Sequence, residues 1–161
     1  MNTYLIVKWL HIISSVLMVG TGFGTAFYLF FINRTKNVEA ICEVSRLVVR
    51  ADTWFTTPTV IFQPLSGLWL MREGGWTLTT GWVATSLALF ILAGVCWLPV
   101  VWLQLKLRDM ALQVAGNKGQ VTEAQALPER YWRYARIWEM LGYPAFIAVT
   151  VIFFLMVNKP F

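Results

Sequence analysis

The sequence predicts an all-α integral membrane protein, one domain folded as a four-helix up-and-down bundle with both termini on the outer side. Three observations predict it. Hydrophobic residues make up 58% of the 161 residues and charged residues 13%, about half the charged share of a soluble domain. Mean hydropathy is +0.61. The apolar residues also gather in four runs, each near the ~20 residues that a helix needs to cross a bilayer core.

The first run covers residues 4–32. It far exceeds the apolar core of a signal peptide, and no small-x-small site follows, so it is expected to stay as a membrane helix. Residues 33–53 form a connection in which Val38, Ile41, Val44, Val48 and Val49 alternate with Glu39, Glu43, Arg46 and Arg50. That pattern suits an amphipathic helix on the inner surface or an extension of the second span. The second span, residues 54–71, is interrupted by Thr56, Thr57, Pro58, Gln63 and Pro64. Hydroxyls of Thr56, Thr57 and Thr59 can re-satisfy backbone groups freed by proline, so a kinked helix facing the bundle is expected. The third span covers residues 82–105 and the fourth residues 138–157.

Between them, residues 106–137 hold GNKGQ (116–120), expected to turn, and ERYWRYARIWE (129–139), which has the aromatic-basic character of an interface anchor. The first and third connections together carry ten of the 13 basic residues. The positive-inside rule puts both in the cytoplasm, which makes the protein multi-pass in the bacterial inner (plasma) membrane. The net charge of +5 therefore reports orientation rather than nucleic-acid binding. Cys42, read as lying in a polar loop, and Cys96, deep in an apolar run, are not expected to form a disulfide.

Few residues within the apolar runs can carry chemistry. His11 is the one histidine. It lies about seven residues into the first span, ~10 Å below the outer edge, where an ionisable group is a functional suspect. It serves either as a haem or metal ligand or as a hydrogen-bonding link to a neighbouring helix. Lys8 shares its face one turn away and either snorkels to the headgroups or binds an anionic group such as a haem propionate. Gly20 and Gly24 form a GxxxG pair that permits close approach of a helix or a flat ring. Gln63 needs a hydrogen-bond partner within the bilayer. Ser66, Trp69, Trp82, Thr85 and Ser86 share the depth of His11. Glu139 opens the fourth span and is read as a cap or an ion-pair partner of Arg136. No Asp/Glu pair, no Ser/His/Asp set and no second histidine falls within the spans, which argues against a hydrolase, a metal enzyme or a proton pump.

The chain resembles an uncharacterised bacterial family of predicted four-helix integral membrane proteins. More distantly it resembles membrane protoporphyrinogen oxidases of the HemJ type and CopD-like membrane domains. YLIVKWLHII (4–13) follows their opening Y-L-x-x-K-x-x-H-I-I, TTP (56–58) with PLSGLWL (64–70) follows their second span, and GWVATSL (81–87) follows their G-W-L-x-x-K-L. The resemblance implies b-type haem on His11. The lysine also needed in that family falls on Ser86, which cannot replace it. That departure counts against protoporphyrinogen oxidation and leaves haem binding open.

Two functions follow as expectations. One is a haem b redox protein with His11 as axial ligand and Lys8, Gly20, Gly24 and Ser86 around the ring. Met71, Met156 or the histidine of a second subunit would complete the iron. The other is a non-enzymatic scaffold or accessory subunit of a membrane complex. In either case the bilayer, a homo-oligomer or another membrane protein, and no nucleic acid, are the expected partners.

Overall fold

A computed structural model describes residues 2–116 and 126–160. The expected turn at GNKGQ falls largely at 117–120, outside the described residues. The described chain consists of α1 (Thr3–Thr35), α2 (Val38–Ala51), a π-helical turn (Asp52–Thr56), α3 (Thr57–Glu73), α4 (Gly81–Gly116) and α5 (Glu129–Asn158). The all-α membrane bundle predicted from composition is the fold. Three helices, α1, α4 and α5, are long and apolar enough to cross a membrane.

Local chemistry sets the ends. Asn2 Oδ1 accepts the Tyr4 N–H and caps α1. Lys36 ends it in the left-handed region at φ 56°, and one residue later Asn37 Oδ1 accepts the Ala40 N–H to start α2. So tight a reversal forces α2 antiparallel to α1. At the opposite end Gly75 takes φ +73°, a backbone geometry in which glycine has no Cβ penalty, and turns the chain from α3 toward α4.

The helices outrun the hydropathy signal. At 1.5 Å per residue α1 is ~50 Å long and α4 ~54 Å, against a hydrocarbon core of ~30 Å. The excess lies at the end where most of the basic residues gather. There α2 packs between α1 and α4 rather than lying on a membrane surface. α2, the π turn and α3 form one continuous rod, so residues 38–51 extend the helix of residues 57–73; α3 itself, expected as the second span, is not among the three helices long and apolar enough to cross. The third connection is shorter than expected, because α4 continues to Gly116 and α5 begins at Glu129.

Burial changes character along the bundle. At the basic end the interior is mainly apolar, with Leu29, Ile41, Leu107 and Tyr131 each at most 1% exposed. In the apolar layer the buried side chains include Ser14, Ser15, Thr59, Gln63, Ser66 and Ser86 beside small apolar ones such as Ala93 and Ala148, while Leu65, Leu98 and Phe154 are exposed. Water drives apolar groups inward only where water is the solvent. In lipid, small and polar residues hold helices together instead. The aromatic-basic run therefore does more than anchor: Tyr131, Ala135 and Trp138 turn into this core, and the Tyr131 hydroxyl donates to Asn33 Oδ1 at 2.7 Å. Cys42 belongs here too. It is buried on α2, not exposed in a polar loop, and both cysteines are free.

Candidate functional site

The bundle divides into two helix pairs. α1 packs along α3, and α4 packs along α5; α1 meets α5 only sparsely, and α3 has no comparable seam with α4 among the described residues. The α1–α3 seam is polar. His11 Nδ1 lies 2.7 Å from Ser66 Oγ, which confirms that the two share a depth. The Ser66 hydroxyl also lies 2.7 Å from the Phe62 carbonyl, so either it or the ring can be the donor between them. In the tautomer protonated at Nδ1, Nε2 keeps its lone pair. The ring is packed close: a Cβ on Gly67 would stand 3.3 Å from His11 Cε1. The same antiparallel register sets Ser14 opposite Gln63. Ser14 Oγ and Gln63 Oε1 are both buried without a hydrogen-bond partner among the described residues, so the expected partner of Gln63 is not found for that oxygen.

Deeper along the same seam lies the π turn. Pro58 has no N–H to offer and stands just inside α3. The helix widens before it, and neighbouring hydroxyls take up the carbonyls: Thr57 Oγ1 donates to Asp52 O at 3.0 Å and Thr59 Oγ1 to Phe55 O at 2.7 Å. Those two threonines act on the backbone as expected. Thr56 does not; its Oγ1 donates to the Asp52 carboxylate, Oδ1, at 2.9 Å. Gln104 of α4 and Thr25 of α1 also stand beside this carboxylate. Asp52 is 6% exposed and belongs to three helical segments at once.

This cluster forms one end of a cavity of about 430 Å³ between the two helix pairs. Its walls are apolar and aromatic, with Met18, Phe90, Trp97 and Tyr143 among them. Gly94 and Gly142 line it, and a Cβ at either would meet nothing within 4 Å. Trp138, also in the wall, is buried with an unpartnered indole N–H. Phe23 of α1 and Phe146 of α5, both in the cavity wall, stack across the two helix pairs with ring centroids 5.0 Å apart. At the basic end Glu139 faces the same space. It lies inside α5 rather than at its N-terminus, and the ion pair it makes is with Arg34, at 3.7 Å, rather than with Arg136. The fold thus brings two carboxylates, Asp52 and Glu139, to one cavity, where the sequence offered no acidic pair within the spans.

The residues expected around a haem are placed as follows. Lys8 is exposed, 5.9 Å from the Tyr4 ring centroid, as a snorkelling lysine would be. Gly20 and Gly24 border a groove toward α2, lined also by Val44 and Ala51, and a Cβ at either would have nothing within 4 Å. Close packing through GxxxG is therefore not used within the chain. Ser86 is buried and donates to Trp82 O of its own helix at 2.7 Å. Met71 is half-buried in α3 and Met156 is exposed in α5. His11 contacts Ser66; the large cavity is lined by neither His11, Lys8 nor Ser86. Among the described residues no group of three or more His, Cys, Asp or Glu could hold a metal ion. The chemistry of His11 fits a haem ligand in the tautomer protonated at Nδ1, which leaves the Nε2 lone pair for coordination. The space does not fit as readily, because the cavity begins at Met18, ~10 Å further along α1.

Asp52 is the residue the sequence reading missed, having assigned it to a polar connection. The signal was available in the phase of the rod. Ile41, Ser45, Val48, Asp52, Thr56, Thr59, Gln63 and Ser66 recur every three or four residues and are the buried stripe, so Asp52 falls on the inward face.

An all-α membrane bundle with a lateral cavity between two helix pairs is the class that these features define. Residues 5–160 match the family described as "Predicted integral membrane protein (DUF2269)", and the chain belongs to that family. No curated protein and no solved structure matches it.

Proposed function

We propose that this protein is a membrane-embedded binding protein that takes a hydrophobic molecule sideways from the bilayer into the cavity between its helix pairs. The observation that carries this reading is the cavity itself. It is apolar along its length, polar at one end, and within the ~300–1,000 Å³ common to small-molecule sites. The sparse α1–α5 contact supports it. The test is saturable binding of neutral 1-pyrenemethanol to the detergent-solubilised protein, read as energy transfer from tryptophan to pyrene. One site is expected in the native chain and none in Gly142→Leu, which fills space that is open in the native bundle. Transfer that rises without saturation, or survives that substitution, overturns the reading.

Haem b on His11 is the second reading, supported by the hydrogen bond that engages Nδ1 with Ser66 and leaves Nε2 as the nitrogen for a ligand bond. It requires the α1–α3 seam to open beside Gly67. The absorption spectrum of the same sample, supplemented with haem, decides it: a reduced α-band lost in His11→Ala supports haem, and a colourless protein rejects it. A protein that is colourless and binds no probe returns the scaffold reading, with the open Gly20–Gly24 face as the place for a second copy or another membrane helix.

For topology, we propose four crossings of the bacterial plasma membrane, with both termini outside. The support is the basic end of the bundle and the run of α3 beside α1. Membrane-impermeant maleimide should label Asn2→Cys on intact spheroplasts, and Lys36→Cys only after lysis. The reverse pattern overturns this orientation.

A further inference from the structure

We infer that the cavity selects lipophilic organic cations, with the Asp52 carboxylate as their counter-ion. This rests on the ligand-binding reading and adds to it the charge of the ligand. Two charged side chains line the cavity, Asp52 and Glu139, and both are acidic. Glu139 has Arg34 beside it at 3.7 Å. For Asp52, no basic side chain lies within 4.0 Å among the described residues; its hydrogen-bond donor is Thr56, and Gln104 and Thr25 stand beside it. Those groups are neutral. They orient dipoles toward the carboxylate and add no positive charge.

A buried carboxylate in an apolar layer is costly unless a cation or a proton joins it. The chain supplies no such cation here, and the cavity leaves room for one. The walls point the same way. Phe90, Trp97 and Tyr143 present aromatic groups to the space, and the negative face of an aromatic ring attracts cations and repels anions. The route in suits such a ligand too. Phe23 and Phe146 carry the cavity wall to the surface of the bundle, where the two rings are 55% and 45% exposed. A molecule with a hydrophobic body can pass from the bilayer and place its charged head at the Asp52 end.

The experiment compares two probes of the same shape on the full chain in detergent: 1-pyrenemethylammonium and 1-pyrenemethanol, followed by tryptophan-to-pyrene energy transfer. In the native protein the ammonium is expected to bind about ten-fold tighter, the effect of one charge-assisted contact. In Asp52→Asn, which keeps the side-chain shape and still accepts from Thr56, the two probes should bind alike. Equal affinities in the native chain, or a preference that survives Asp52→Asn, overturn the inference while leaving the cavity reading intact. Failure of both probes to bind the native chain removes the cavity reading itself, and this inference with it. The native-chain comparison needs no variant, so a poorly folding substitution does not shield the proposal.

Discussion

Leu107→Ala should destabilise the protein by ~2–5 kcal/mol, the range for deleting a buried leucine side chain that its surroundings cannot refill. Leu107 is 0% exposed and sits among Leu29, Ile41, Leu103, Ala111 and Tyr131. Leu98, nine residues earlier on the same helix, is 65% exposed. Leu98→Ala should change stability by less than ~0.5 kcal/mol. Both remove the same atoms from one helix. They differ in what surrounds those atoms, since lipid receives an exposed leucine as readily as a neighbouring helix does. Equilibrium unfolding in mixed micelles, followed by circular dichroism, checks the pair. Similar losses at the two sites would show that apolar burial at the basic end is not what fixes the bundle.

The same division explains what could be read from the sequence. Hydropathy reports which residues lipid can tolerate, so it found the class of fold and the three long apolar helices α1, α4 and α5. It does not report where a helix ends. Gln104 and Lys106 look like the end of a crossing, yet α4 continues to Gly116, because Leu107 and Ala111 keep the helical spacing and have α2 and α5 to pack against. Tyr131, Ala135 and Trp138 carry that same spacing beneath a screen of arginines. Composition makes them look interfacial, and phase makes them core.

The candidate site was legible in part for a related reason. His11 stood out because it is ionisable in an apolar run, and depth alone paired it with Ser66. Asp52 was hidden by its sequence neighbours. Arg50 and Glu43 make the segment look solvated, although Asp52 keeps the helical spacing of Ser45, Val48 and Thr56 that faces the bundle. Gln104 comes from a helix far away in sequence, so no local pattern announces their meeting. Glu139 was assigned to Arg136 by proximity along the chain; the fold assigns it to Arg34 across the α1–α5 gap.

Gly67→Leu is the sharpest test of the α1–α3 seam. The position has no strained backbone to relieve, since φ there is helical, and leucine is the better helix former by several tenths of a kcal/mol. Propensity alone therefore predicts stabilisation. Packing predicts the opposite. The first added carbon would already stand 3.3 Å from His11 Cε1, tighter than ordinary van der Waals contact, and the rest of the side chain has the imidazole in its way. Either the ring turns away and breaks its 2.7 Å bond to Ser66, or α1 and α3 separate. Overpacking of this kind costs ~1–3 kcal/mol, and the freed imidazole adds the loss of a part-buried hydrogen bond, ~1 kcal/mol. Unfolding in mixed micelles should thus show a net loss of ~2 kcal/mol or more. Adding His11→Ala to Gly67→Leu should recover part of it, because the added side chain then occupies the space the ring has vacated. A double variant as unstable as the sum of the two single ones would mean that the two residues act independently, and that the close approach of His11 to α3 does not hold the seam.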